Sequence, residues 1–476
     1  MVFSSNIFIF LYLPIFLVFY YGVKFKYKSY IIVVASYLFY AWWRPDFTFL
    51  FIGITVWNYI FGQLIYKYID SNKEKAFRLL VVGVVGNLLT LAYFKYANFG
   101  AEVIGDFLGE FGFNTYYFEK VILPLGISFY VFQALSYIVD IYRKSGKPTE
   151  RFVDFAAFIS LFPQLIAGPI LRYKDISGQL HSRTHSWELF SAGVCRFMLG
   201  FIKKVMIADS LAHISIYTLN NAQSGFFDTW IGMAASLIQL YFDFSGYSDM
   251  AIGLGMMMGF KFTENFNQPF TAMSLTEFWN RWHLTLSAFL RDYVFFPLVR
   301  GKKVAAEVGL LLTMGLSGFW HGASFSFIFF GLYFGVFMVL ERKLNIATKN
   351  RDKYSAIKNI RTLMLLIGVM PFFMGGNLTG SFYLYGGMLG LRGWGSVDKL
   401  IINVGTISIL FMFASVVWCV LSGYIEKKYT ATIKDKPSYF MKNVGVYESC
   451  FIWFFFLISL SKLSASSFSP FLYFQF

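Results

Sequence analysis

The feature that most constrains this chain is a set of long apolar runs, among them NIFIFLYLPIFLVFYYGV, LLVVGVVGNLLTLAYF, IINVGTISILFMFASVVWCVLSGY and ESCFIWFFFLISLS. Each comes close to the roughly twenty residues a helix needs to cross about 30 Å of hydrocarbon. Backbone in lipid must satisfy its own hydrogen bonds, so runs of this kind fold as helices. The remaining residues cannot supply a water-facing coat. Of the chain, 57% is hydrophobic, 60 residues are phenylalanine and charged residues reach only 14%, against about a quarter in a soluble domain. The expected fold class is all-α, a polytopic membrane protein. No internal repeat, low-complexity segment or linker is visible, so residues 1–476 are expected to form a single integral-membrane domain. The first run lacks the basic flank and small-residue cleavage site of a signal peptide and reads as a retained membrane helix.

The formal charge is +15, but the bases fall in short loops between apolar runs. That is a positive-inside distribution, with lipids as the expected surroundings and no nucleic-acid partner. Lys24, Lys26 and Lys28, then Lys67, Lys73, Lys75 and Arg78, then Arg143, Lys144, Lys147 and Arg151 mark the cytoplasmic side. The segment carrying Glu102, Asp106, Glu110 and Glu119 lies opposite. Basic loops at residues 341–361 and 426–442 bracket two later spans, which puts both termini outside. Between these regions, FPQLIAGPILRYK contains Pro163, Gly168 and Pro169, helix breakers that predict a re-entrant segment buried in protein. Cys195, Cys419 and Cys450 have neither the spacing of a disulfide framework nor that of a zinc site, and no metal is expected.

Ionisable residues inside a membrane are costly, so sparse polar positions mark candidate sites. Of five histidines, His181, His185 and His213 read as interfacial. His283 lies in SLTEFWNRWHLTLSAFLRDYVFFPL, where Ser274 and Glu277 form a capping box that starts a helix. Along that helix Thr276, Asn280, His283, Ser287 and Arg291 would form one polar stripe, facing either headgroups or a funnel. Glu277 and Arg281 are spaced for a structural i,i+4 ion pair. Lys203, Lys204, Asp209, Asp243, Ser245, Ser248 and Asp249 are expected to be structural, with Asp249 capping a helix and the lysines snorkelling to an interface. There is no EF-hand, phosphate loop, nucleophile elbow or haem motif.

His321 stands at a glycine-rich break between two apolar segments, with no charged neighbour in sequence. A neutral imidazole there suits general-base chemistry on a hydroxyl. Arg300, Lys302 and Lys303 place the start of the preceding helix inside. From about Val308 to His321 the chain rises roughly 20 Å at about 1.5 Å per residue, which stops it within the membrane, nearer the outer half. Residues 324–340 must then run back, and His321 is expected to line a cavity.

Taken together, ASYLFYAWWRPDF, LPLGISFYVFQALSYIVDIYR, FPQLIAGPI, DFSGYSDMAIGLGMMMGF, NFNQPF, FWNRWHLTLSAFLRDYVFFPL, SGFWHGASFSFIFFG and a terminal YFQF resemble the membrane-bound O-acyltransferase family, and within it the alginate O-acetyltransferase branch. The resemblance covers nearly the whole chain. It implies a ring of about 11–13 tilted transmembrane helices, plus re-entrant and interfacial helices, around a central funnel. It also implies that His321 matches the family's invariant histidine and His283 its second one. The implied donor is acetyl-CoA arriving from the cytoplasm, with no bound cofactor. The implied acceptor is a hydroxyl on a periplasmic or outer-face SGNH or esterase-like partner, in a bacterial inner membrane, serving O-acetylation of alginate or a related polymer. On this reading His321 is the general base, His283 and Asn280 orient donor or oxyanion, and Ser287, Arg281 and Arg291 are further donor-orienting candidates. Peptidoglycan O-acetylation, D-alanyl transfer to teichoic acid and transport without chemistry are the alternatives. VMPFFMGGNLTG, outside both histidine blocks, departs from the branch's usual pattern.

Overall fold

The computed structural model describes residues 1–112, 118–221, 224–302, 304–346, 355–430 and 446–465. Lys303, parts of both late basic loops and the terminal YFQF lie outside these. The described residues are helical throughout apart from connections, in two compact units: Met1–Val194 with Met250–Thr263, and Cys195–Asp249 with Glu264–Phe476. No linker marks the boundaries, which fall inside helices or within a few residues of their ends. Among the described residues four helices are long and apolar enough to cross a membrane, five if one bent pair counts as a span, and two shorter apolar helices, Phe8–Gly22 and Ile127–Tyr142, accompany them.

The first unit contains α1 (Leu13–Gly22), α2 (Lys28–Ala41), α3 (Asp46–Tyr68), α4 (Lys73–Glu110), α5 (Ile127–Tyr142), α6 (Phe152–Ser160), α7 (Phe162–Leu165) and α8 (Tyr173–His181). α3 and α4 are both candidate spans, and buried Asn58 and Asn87 exchange amide hydrogen bonds of 3.0 and 2.8 Å between them. Such bonds join helices where lipid removes any hydrophobic drive to associate. Gln133 of α5 and Gln164 of α7 pair in the same way. The expected irregular segment is present: Ile166, Ala167, Ile170 and Leu171 are all buried beyond the short α7. At one end of this unit the Tyr20 hydroxyl donates to Met258 O at 2.6 Å, accepts from Arg183 Nε at 3.0 Å and lies 3.1 Å from His185 Nε2. Lys28 is buried there, with Nζ donating to Tyr20 O at 2.6 Å.

The second unit begins within α9 (Trp187–Ile202), which continues through a π-helical turn, Lys203–Ala208, into α10 (Asp209–Asn220); α11 (Phe226–Met257) follows. Two sequence expectations fail here. Asp249 lies well inside α11 and caps nothing; it accepts from Arg196 at 2.7 Å and Lys203 at 2.6 Å. Lys203 and Lys204 do not snorkel, since Lys204 pairs with Asp209 at 2.7 Å and Asp243 at 2.8 Å. The cause is close helix packing: a Cβ on Gly246 would come within 2.7 Å of Gly200 O, so the charged residues around it face one another. Charges enclosed in this way persist by pairing.

Next come α12 (Leu275–Trp279), α13 (Leu284–Leu290), α14 (Phe296–Val299), α15 (Ala306–His321), α16 (Phe325–Lys343), α17 (Ala356–Met374), α18 (Leu378–Met388), α19 (Val397–Val404), α20 (Thr406–Thr430) and α21 (Val446–Ala465). α15 and α16 form a tight hairpin across Gly318 and Gly331, where a Cβ on either residue would run into backbone of the other helix. The apolar run that opens at Ile401 is not one straight span, because Gly405 takes φ 80° and bends α19 against α20 by 105°.

Candidate active site

Two histidines and two cavities define the site, all within the second unit. α15 carries Thr313, Ser317 and His321 at successive i,i+4 positions, one stripe of a helix held against α16 by the glycine crossing. His321 is the last residue of α15 and is 8% exposed. Its ring packs against Trp320, Phe330 and Phe373, with centroids 4.8, 5.8 and 6.1 Å away. It lines a chamber of about 30 Å³ whose other walls are apolar or aromatic, Phe244, Trp282 and Phe334 among them. On that measure about 10–15 Å³ is enough for one water. Val369, Met370 and Phe373, from the stretch that departs from the family pattern, line the same chamber.

The second cavity has a volume of about 640 Å³, within the range of small-molecule sites. Its lining mixes polar side chains, Thr276, Asn280, Ser287 and Arg291 from one stretch, Thr313 and Ser317 from α15, and Glu341, Arg342 and Asn345 around the end of α16, with Leu290, Phe295, Leu310, Met314 and Met338. Trp279 lines both cavities, so its indole is a shared wall. Glu341, only 5% exposed, holds this wall from α16 by accepting from Leu275 N at 2.7 Å, Thr276 N at 3.0 Å and Thr276 Oγ1 at 2.9 Å. A carboxylate at these orphan amides satisfies the start of α12.

The structure therefore brings Asn280, Ser287 and Arg291 together around one cavity. Arg281 does not line it; it forms the expected ion pair with Glu277 at 3.0 Å and donates to Asn267 O. The capping box forms in a shifted version, with Glu277 N donating to Ser274 Oγ at 3.0 Å and Glu277 Oε2 accepting from Met273 N. The single helix expected through His283 does not form. α12 ends at Trp279, and His283 takes φ 44° and ψ 53° before α13 begins. A left-handed non-glycine residue costs roughly 1–2 kcal/mol, and here Leu284 N finds Asn265 O at 2.9 Å in place of a helical carbonyl. The turn removes His283 from the stripe and buries it completely, while the other four members keep facing the larger cavity.

Buried His283 sits edge-on to Phe244 at 4.7 Å and lies 6.3 Å from Trp320, within electrostatic reach of His321. Asn265, also fully buried, donates from Nδ2 to Ser248 Oγ at 3.1 Å; its Oδ1 accepts from Thr285 Oγ1 at 2.9 Å and lies 2.9 Å from His283 Nδ1. An amide oxygen only accepts, so in this arrangement Nδ1 carries the hydrogen and Nε2 of the neutral ring keeps its lone pair. His283 Nε2 has no hydrogen-bond partner among the described residues. Asn265, Ser317, Trp279 and Glu341 were not singled out in the sequence. The one local signal was the i,i+4 spacing of Ser317 and His321.

The other histidines lie elsewhere: His181 and His213 are exposed, and His185 belongs to the first unit. Among the described residues no group of three or more His, Cys, Asp or Glu could hold a metal ion, and the three cysteines form no disulfide. The arrangement pairs a larger cavity carrying polar side chains with an apolar-walled chamber ending at an imidazole. A low dielectric strengthens every charge interaction in such a chamber, and a neutral imidazole can take a hydroxyl proton near neutral pH.

Residues 149–370, which contain both histidines, match the membrane-bound O-acyltransferase family. A protein named probable alginate O-acetylase from Pseudomonas putida is 42% identical over the full length of both chains. One of the same name from Pseudomonas aeruginosa is 46% identical over 83% of this chain and 76% of its own. A peptidoglycan O-acetyltransferase from Helicobacter pylori is 32% identical over 83% and 80%. With a full-length relative at this identity, a multi-pass helical architecture and both histidines inside the matched region, this chain belongs to the membrane-bound O-acyltransferase family and is an O-acyltransferase.

Proposed function

We propose that this protein takes an acetyl group from acetyl-CoA at the cytoplasmic face of a bacterial inner membrane and passes it through the bilayer. The acceptor is a hydroxyl on an SGNH or esterase-like partner outside, and the product is an O-acetylated exopolysaccharide of the alginate kind. The observation that carries this reading is the cavity of about 640 Å³, with nine polar side chains in its lining, that shares the Trp279 wall with the His321 chamber. Arg291 and Arg342 give the larger cavity the cations a coenzyme's phosphates need, and the apolar walls around His321 suit a small acyl group. Loop charge supports the orientation, with both termini outside and the start of α15 inside.

In the reaction, the acceptor oxygen attacks the thioester carbonyl as His321 takes its proton. The C–S bond then breaks, and the coenzyme thiolate takes a proton from the imidazolium. With Nδ1–H held by Asn265, neutral His283 offers a lone pair, so it steers a hydrogen donor such as the incoming hydroxyl and does not hold an oxyanion. Asn280, Ser287 and Arg291 orient the donor from the larger cavity.

Peptidoglycan is the second reading, favoured by the Helicobacter relative's name but matched at lower identity. The test incubates purified protein and an outer-face partner with labelled acetyl-CoA and either alginate or peptidoglycan. Label in ester linkage on alginate supports the proposal. Label on peptidoglycan alone replaces the polymer, and movement of substrate without any ester would make the chain a transporter.

A further inference from the structure

The oxyanion formed by attack on a thioester needs hydrogen-bond donors, and neutral His283 presents an acceptor. Two other donors lining the site have no acceptor among the described residues. Ser317 is 2% exposed and lies one turn before His321 on the same face of α15, about 5–6 Å away between Cβ atoms by helix geometry. Buried serines and threonines in helices usually spend their hydroxyl on the carbonyl four residues back. Thr313, one turn earlier, does so to Gly309 O at 2.7 Å. Ser317 does not, and its Oγ has no hydrogen-bond partner among the described residues. Trp279 is 7% exposed, and its indole Nε1–H also has none among the described residues. Ser317 and Trp279 both line the large cavity, and Trp279 continues into the His321 chamber.

A buried hydroxyl left unpaired costs folding free energy without structural return. Its retention beside a base is explained if a partner arrives with the substrate. We propose that Ser317 Oγ–H and Trp279 Nε1–H hold the thioester carbonyl oxygen and stabilise the oxyanion that forms there. The inference rests on the acyl-transfer reading of the site. As the acceptor oxygen bonds to the carbonyl carbon, the C=O π pair moves onto oxygen between the two donors, and the proton goes to His321. Collapse of the adduct restores the C=O and expels the thiolate, which is protonated by the imidazolium. Ser317 supplies the donor on the side of the base, and Trp279 supplies it from the shared wall.

The test measures acyl transfer and thermal unfolding for the whole protein in lipid or detergent. Ser317→Ala should lower kcat by about 10²-fold, the usual cost of one lost oxyanion donor, and leave the donor KM within about twofold. Its Tm should equal or exceed that of the parent, because an unpaired hydroxyl has been removed from the interior. Ser317→Cys, similar in shape and a weaker donor, should fall between the two. Trp279→Phe, which keeps a ring and loses the N–H, should also lose kcat. A folded Ser317→Ala protein with kcat within about threefold of the parent would falsify the assignment, as would a loss of activity that follows a lowered Tm. In either case His321→Ala would still report on the acyl-transfer reading. An unaltered rate in that variant sinks the reading itself.

Discussion

The two cavities of the second unit share one tryptophan and little else in character. The larger sets hydroxyls, amides, a carboxylate and two arginines among apolar side chains such as Leu290, Phe295, Leu310, Met314 and Met338; the smaller is walled by rings and aliphatic groups, with His321 as its polar exception. The difference teaches where each part of the chemistry can be done. A charged, hydrated donor can rest in the first without being stripped of its partners. Attack on a carbonyl gains where the second meets the first at Trp279, because fixed dipoles near apolar walls act at a lower dielectric than in water.

The largest expected effect breaks the comparison at its polar exception. His321→Ala should lose at least about 10³-fold in kcat while remaining folded, since a general base contributes about 10²–10⁴. His283→Ala should lose less, about 10²-fold, as a steering group and not the proton acceptor. Asn265→Leu should mimic part of that loss and add nothing further in a His283→Ala background. Steady-state kinetics on the four proteins decide it, and additive losses would mean that Asn265 acts on the fold and not through His283.

A smaller effect sharpens the contrast from the polar side. Arg291→Ala should raise the donor KM roughly tenfold with little change in kcat, as expected for a group that binds donor and transition state alike. Arg281→Ala should leave KM nearly unchanged, because Arg281 is paired with Glu277 outside the cavity. Equal KM effects of the two would remove the reason to place the coenzyme there.

The smallest effect belongs to the first unit and should leave the chemistry alone. Burial, reinforced by the nearby charges of Lys28 and Arg183, pulls the His185 imidazole from its ordinary 6.5 down to about 4. The folded protein therefore favours neutral His185. Its contribution is fully present above pH 6.5 and is lost as pH falls toward 4, because the unfolded chain binds the proton more readily. Tm should decline over that window, and His185→Gln should flatten the decline. An unchanged acid slope in that variant would assign the loss to other groups.

How much of this was legible in the sequence differs between the two histidines for a physical reason. His321 was readable because a basic loop, an apolar run and a glycine break are local signals that fix where a helix begins and stops. His283 was misplaced because counting every third or fourth residue presumes one unbroken helix, and a left-handed residue ends that periodicity without any glycine to announce it. Its partner Asn265 comes from an extended segment 18 residues earlier, a tertiary contact that spacing cannot contain. The same holds for Lys203, Lys204 and Asp249, whose pairings cross between helices. The stretch around Phe373 lies outside both histidine blocks in sequence, yet it packs on His321.

The central claim is that acyl transfer runs through the membrane at His321, and proteoliposomes with the protein in one orientation test it most directly. Labelled acetyl-CoA is supplied on one face, and the partner hydroxyl on the same face or on the opposite one. The account predicts ester label when the two are on opposite faces, with donor on the side of the basic loops, and none with His321→Ala. Label that appears only when donor and acceptor share a face, or that persists in folded His321→Ala protein, would contradict it.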